Sequence, residues 1–248
     1  MEDVYKNCPI YENESFVLRM VRKEDALDLL KVYSDKMAVP FFNSDNCGGD
    51  DFYYTTENKM EQVIDYWFFE YNRAGFVRWT VVSKAADEAI GTIELFHRDA
   101  DDYFTNCGLL RLDIRSDYEF SNEIIKILDL IIEPAYTLFN CDIIATKANS
   151  NATERIKALK QLGFEHTDEI LIGHDGTRYD SYYVLPVSYT HLDVYKRQTL
   201  YLFQHFTAFA GRKLKNQRRH RICIANLNCR RFQRNSLYHN TIIPPDLY

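Results

Sequence analysis

The chain reads as an α/β (α+β) protein with a central mixed, mostly antiparallel sheet of about seven strands flanked by helices. Two stretches carry that prediction. From 109 to 164 the order is strand, helix, strand, helix. Leu110, Leu112 and Ile114 share one strand face by period-two alternation, and Ile124, Ile127, Leu128, Ile131, Ala135 and Leu138 share one helix face. From Thr56, the residues Met60, Val63, Ile64, Trp67, Phe68 and Tyr71 recur at helical spacing, the cleanest amphipathic pattern in the chain. One-sided elements must bury their apolar stripes against one another, and a sheet covered by helices does so.

Taken in order, residues 1–14 read as a polar lead-in and Phe16 to Val21 as a first strand. Ala26, Leu29, Leu30 and Tyr33 form a helix face, and Pro40 breaks any regular structure beyond it. Phe41 to Asp51 is a loop by its Gly, Asn and Asp content; its Asp45, Asp50 and Asp51 suit either a solvated turn or a cation-binding wall. The helix from Thr56 ends at Gly75. Strands come next over Val77–Ser83 and Ala89–His97, joined by a turn at Asp87-Glu88. After the central unit, Glu169–Ile172 and Tyr179–Leu185 close as a hairpin about Gly173 to Gly176. Pro134 predicts a kink in the long helix, and Ile156, Leu159 and Leu162 a buried stripe on the last one.

A 248-residue chain that is 46% hydrophobic, with 18 Tyr and 16 Phe, can bury a large core. Met1 to Lys6 lacks the basic and apolar regions of a signal peptide, and no run of apolar residues is long enough to span a bilayer; a soluble cytoplasmic protein is the expectation. Cys8, Cys47, Cys107, Cys141, Cys223 and Cys229 are scattered without paired spacing, which argues against both a disulfide framework and a metal site.

The net charge of −6 is unevenly distributed: residues 199–248 carry +8 and 187–198 carry +1, leaving −15 on the first 186. Val187 to Gln198 resembles the translation of two transposon mosaic-end adapters joined head to head. One choice of codons for it reads the same on both strands except at its final two bases. The expected organisation is therefore a domain over 1–186, an adapter-derived segment over 187–198 and an unrelated, disordered tail over 199–248. The tail's Arg218 to Arg221 and Arg230-Arg231 clusters imply nucleic-acid contacts only if that tail is native.

Three features together resemble the GNAT acyltransferase superfamily, in its branch of ribosomal-protein and small-amine N-acetyltransferases. They are Phe16 to Val21 leading into a helix with Asp25-Ala26, the strand Ile90-Gly91-Thr92-Ile93-Glu94-Leu95, and Asn151 ahead of Leu162-Gly163-Phe164. The resemblance covers residues 10–186 and implies a sheet splayed between its fourth and fifth strands, with acetyl-CoA as co-substrate in the splay. It assigns the backbone of Leu112 and Ile114 to the pantetheine arm and Asn151 to the same ligand.

The family's glycine-bearing pyrophosphate loop corresponds to Arg115 to Glu123, which contains no glycine and brings in Asp117, Glu119 and Glu123. Arg115, Ser116, Ser121 and Asn122 remain as donors; Ser116 to Glu119 also reads as a capping box. Leu159 stands where many relatives carry a Tyr acid. Glu94 is the first candidate for the base that deprotonates an amine, and Asp113 the second. The implied activity is acetyl transfer to a primary amine of a cationic small molecule or a protein N-terminus. The alternative is a GNAT-shaped binding module for a peptide or a subunit that has lost its pyrophosphate loop.

Overall fold

The structure is a computed structural model and describes residues 3–187. The adapter-like junction from Ser188 onward, the basic tail, its arginine clusters and Cys223 and Cys229 lie outside the described residues.

Among the described residues the main sheet has eight strands, against about seven expected. In chain order these are β1 (Tyr11–Glu12), β2 (Phe16–Met20), β3 (Val77–Ser83), β4 (Glu88–Arg98), β5 (Cys107–Ile114), β6 (Ile143–Lys147), β7 (Glu165–His166) and, after the hairpin β8 (Leu171–Ile172) and β9 (Arg178–Tyr179), β10 (Tyr182–Pro186). Their spatial order is β1-β2-β3-β4-β5-β6-β10-β7. Every pairing within it is antiparallel except β5 with β6, which the helical crossover between them makes parallel. Two strands of the main sheet are unexpected, β1 in the lead-in, where Tyr11 and Glu12 pair with Leu18 and Val17, and β7, which pairs with β10, while the expected Glu169–Ile172 strand lies outside it. The expected closing hairpin divides instead: β8 and β9 form a two-stranded sheet of their own, and β10 leaves them to pair with β6 and β7.

Among the described residues five α-helices cover the sheet: α1 (Ala26–Tyr33), α2 (Glu57–Asn72), α3 (Ser121–Leu128), α4 (Ile132–Leu138) and α5 (Thr153–Gln161). Thr56 starts α2 by accepting the Lys59 N–H on its hydroxyl. Its end differs from expectation. Ala74 takes the left-handed turn with φ 59°, and Gly75 leaves room for the end of the Glu70 side chain, which a Cβ there would displace. The single kinked helix is two helices. Pro134 clashes with a carbonyl four residues back, so the helix stops at Leu128 and restarts at Ile132, with Pro134 in a first turn that needs no N–H donor. Ile131 and Ala135 stay in the same core as Ile124 and Ile127.

The two faces of the sheet are unlike. Val77, Trp79, Val81, Ile93, Leu95, Leu110, Leu112 and Ile114 pack with the stripes of α3, α4 and α5. On the same strands the alternate residues Arg78, Thr80, Thr92, Glu94, Arg111 and Asp113 turn the other way. Tyr33 of α1 and Trp67 of α2 belong to the separate core on that side.

Candidate functional site

Strand register assembles the charged face. Arg78 on β3 lies opposite Glu94 on β4, which lies opposite Arg111 on β5; the neighbouring rung is Thr80, Thr92 and Asp113. Arg78 bridges the rungs, donating to Glu94 through Nη2 and to Asp113 Oδ2 through Nη1 at 3.1 Å. Arg111 Nη1 holds the other Glu94 oxygen at 2.6 Å, and the Tyr33 hydroxyl donates to Asp113 at 2.9 Å. The Trp67 ring lies 4.3 Å from the Arg78 guanidinium and covers it. The sequence candidates Glu94 and Asp113 thus meet on one arginine. Arg78, Arg111 and Tyr33 are site residues that the sequence reading does not single out, although charges alternating with apolar residues on three successive strands are a signal that one face is special.

Burial sets the electrostatics. Asp113 is fully buried, which pushes its carboxyl above the ordinary aspartate range more than Arg78 and Tyr33 pull it down. Burial works against the Arg78 charge, and Glu94, Tyr33 and Asp113 outweigh it, holding the guanidinium protonated. Among the described residues, Arg78 Nε and Asp113 Oδ1 are the buried side-chain atoms without a hydrogen-bond partner, a donor and an acceptor in one cluster.

A cavity of about 660 Å³ opens above this rung, with Arg78, Glu94 and Arg111 in its floor and Tyr66, Trp67 and Phe76 in its wall. The loop expected either as a solvated turn or as a cation site is a turn exposed at Gly48, Gly49 and Asp51, with its carboxylates engaged within the chain. Asp45 is half-buried with both oxygens 2.7 Å from Lys147 of β6, and its carbonyl accepts from Arg111 at 2.7 Å. Asp50 accepts from the Phe52 N–H and the Tyr54 hydroxyl, and Asp51 from the Tyr53 N–H. These carboxylates hold the loop's own shape. Among the described residues no group of three or more acids, His or Cys is arranged to hold a metal ion, and Cys8, Cys47, Cys107 and Cys141 are free thiols. Among them, too, no helix is long and apolar enough to cross a membrane.

At the far side of β5 the sheet parts. Cys107 to Leu110 pair with Ile143 to Thr146, and β5 then runs on to Ile114 without β6. Leu112 and Ile114 lie on this unaccompanied length.

No protein-family model and no curated protein sequence matches the chain. Solved structures do. A GNAT-family acetyltransferase from Bacillus anthracis superposes with TM-score 0.52 at 10% identity, over 72% of this chain and 98% of its own. A ribosomal-protein alanine acetyltransferase from Vibrio fischeri gives 0.53 at 15%, over 71% and 94%. RimJ of Mycobacterium smegmatis, solved in complex with CoA-disulfide, gives 0.54 at 14%, over 69% and 82%. The fold is the GNAT fold. At these identities the likeness speaks for architecture alone.

The resemblance implies acetyl-CoA in the parted strands, and several of the groups it assigns to that ligand are engaged within the chain. The Leu112 carbonyl already accepts from Arg155 Nη1 at 2.8 Å. In the loop, the expected capping box is absent: Ser116 caps nothing, its N–H donates to Asp35, and Glu119 binds Arg155. Arg115 is tied to Asp117 and Glu88. The Ser121 N–H, at the start of α3, donates to Glu154 at 2.9 Å. Glu154 therefore does not cap its own helix, whose N-cap is Ala152. Asn122 and Asn151 are exposed, and Ile114 is buried against Gly91. The buried stripe of α5 is Arg155, Ala158 and Leu159, with Ile156 only half-buried. Arg155 is a buried arginine that the sequence reading does not single out as part of this region.

Proposed function

We propose that this chain is a binding module on a GNAT scaffold, which recognises a peptide or a partner subunit through the cavity above the Arg78–Glu94–Arg111 rung. One observation carries this: the N–H groups of Ser116 and Ser121, within the loop that corresponds to the pyrophosphate loop of the resembling family, hold the chain's own Asp35 and Glu154. A helix start that already binds a carboxylate has little left for another anion. The cavity keeps what a peptide needs. Buried guanidinium and carboxylate groups form its floor and aromatic walls surround it, and Tyr66, 54% exposed, stands at its edge. Calorimetric titration of the full chain with millimolar CoA tests the reading; no heat is expected, and saturable binding sinks it.

The parting of β5 from β6 favours a second reading, an N-acetyltransferase moving acetyl from acetyl-CoA to a primary amine of a cationic small molecule or a protein N-terminus in the cytoplasm. There Glu94 takes the amine proton, with Asp113 as the alternative base. Leu112, Ile114, Arg115, Ser121, Asn122 and Asn151 face the thioester ligand. Both Glu94 oxygens sit in ion pairs, so the base must first be released from Arg78 or Arg111. Thiol release from acetyl-CoA with a panel of amines decides for this reading.

A further inference from the structure

Arg155 is a cation in the first turn of α5, where the helix dipole disfavours it, and it lies on the buried side with 3% exposure. Such a position is explained by what the side chain reaches. Its Nη1 donates to the Leu112 carbonyl at 2.8 Å and to the Phe41 carbonyl at 2.9 Å, and its Nε and Nη2 hold both Glu119 oxygens at 2.7 Å. One guanidinium thus joins the edge of β5, the turn Val39–Phe41 and the loop ahead of α3.

The place of this contact is specific. Pairing of β5 with β6 ends at Leu110 opposite Thr146, and Leu112, two residues on, presents its carbonyl to the same edge. An edge carbonyl there needs a donor, and an extended amide-bearing ligand is one way to supply it. Arg155 is another. Glu119, with its side chain 8% exposed, completes the pair so that no net charge is buried. Around it, Asp35 and Glu154 occupy the N–H groups of Ser116 and Ser121.

Resting on the binding-module reading, we infer that the Arg155–Glu119 pair is a built-in substitute for a pantetheine arm: it closes the strand edge at Leu112, makes the fold complete without a thioester, and excludes one. The chain's recognition chemistry is thereby confined to the cavity on the other face of the sheet.

The test uses pantetheine, the arm without the nucleotide, so that the rewritten loop does not decide the result. Thermal unfolding of the full chain is measured with and without millimolar pantetheine, for the wild type, Arg155→Ala and Arg155→Lys. The wild-type midpoint is expected to stay put. Arg155→Ala is expected to unfold several degrees lower and to recover part of that loss with pantetheine, because a ligand that binds only the folded form raises its midpoint. Arg155→Lys keeps a donor for Leu112 and lies between; it carries the test if the alanine variant does not fold. A wild-type midpoint that rises with pantetheine overturns the inference, and so do destabilised variants that ignore it. Thiol release from acetyl-CoA by the wild type sinks both readings, whereas destabilised variants that ignore pantetheine, with no thiol release by the wild type, sink the inference alone, so the two failures are told apart.

Discussion

The guanidinium of Arg155 and the carboxylate of Glu119 face each other fork to fork through two bonds of 2.7 Å, beside the only parallel strand pair of the main sheet among the described residues. Removing one partner strands the other in a dry site. Glu119→Ala should therefore cost roughly 3–5 kcal/mol of folding free energy in urea denaturation. The double variant Arg155→Met with Glu119→Leu should recover much of that loss, since an apolar pair leaves no buried charge.

Glu94 neutralises two arginines at once. Glu94→Gln keeps one acceptor oxygen for Arg111 or Arg78, turns an amide donor toward the other, and leaves the two guanidinium charges only the Asp113 carboxyl, which burial has pushed up. A loss of about 3 kcal/mol or more is expected from an unmatched buried charge. A double-mutant cycle with Arg111→Met should show coupling of about 0.5–3 kcal/mol, and additive effects would contradict the rung.

Acid should weaken the fold through Asp25. Burial raises that carboxyl, but Arg19, the Arg22 N–H and Thr80 outweigh it and hold it below the ordinary range. A lowered folded value contributes stability that is present above the unfolded value of about 3.9 and is lost as pH falls through the folded one. Asp113 runs the other way: its raised value contributes fully in acid and fades as pH rises through the folded value. The Asp25 contribution should thus be lost as pH falls below about 4, and Asp25→Asn should be weaker at neutral pH with a shallower slope in that acid range.

Gly91→Ala should be among the most damaging small substitutions. An added Cβ would press on the Asp113 carbonyl and the Ile114 backbone, which belong to the neighbouring strand and cannot rotate away. Overpacking of this kind costs about 1–3 kcal/mol or more. Circular dichroism melts of the soluble fraction will show whether β4 and β5 still pair.

What is legible in the sequence is periodic. The stripes at Met60 to Trp67 and Ile124 to Ala135 and the alternation at Leu110 to Ile114 announce their burial, and the order of elements comes from them. The charged face is half legible, since Glu94 and Asp113 stand out as strand acids while nothing local marks the arginines that hold them. Arg155 does carry a signal: with Ala158, Leu159 and Leu162 it completes an i, i+3, i+4, i+7 stripe, which marks an arginine for burial. Asp45 with Lys147 has no local signal at all, because 102 residues separate them and only the assembled sheet brings them together.

The small hairpin β8–β9 stands apart from the main sheet but not from the cavity. The Asn46 N–H donates to the Tyr179 hydroxyl and its amide oxygen accepts from the His174 N–H, so the rim of the cavity leans on the turn at Gly173 to Gly176. That turn pairs with no strand of the main sheet and can be lengthened or recomposed without disturbing the strand register below it. Changes to that turn should accordingly reshape the rim of the cavity while the Arg78–Glu94–Arg111 floor, set by the strand register, stays in place.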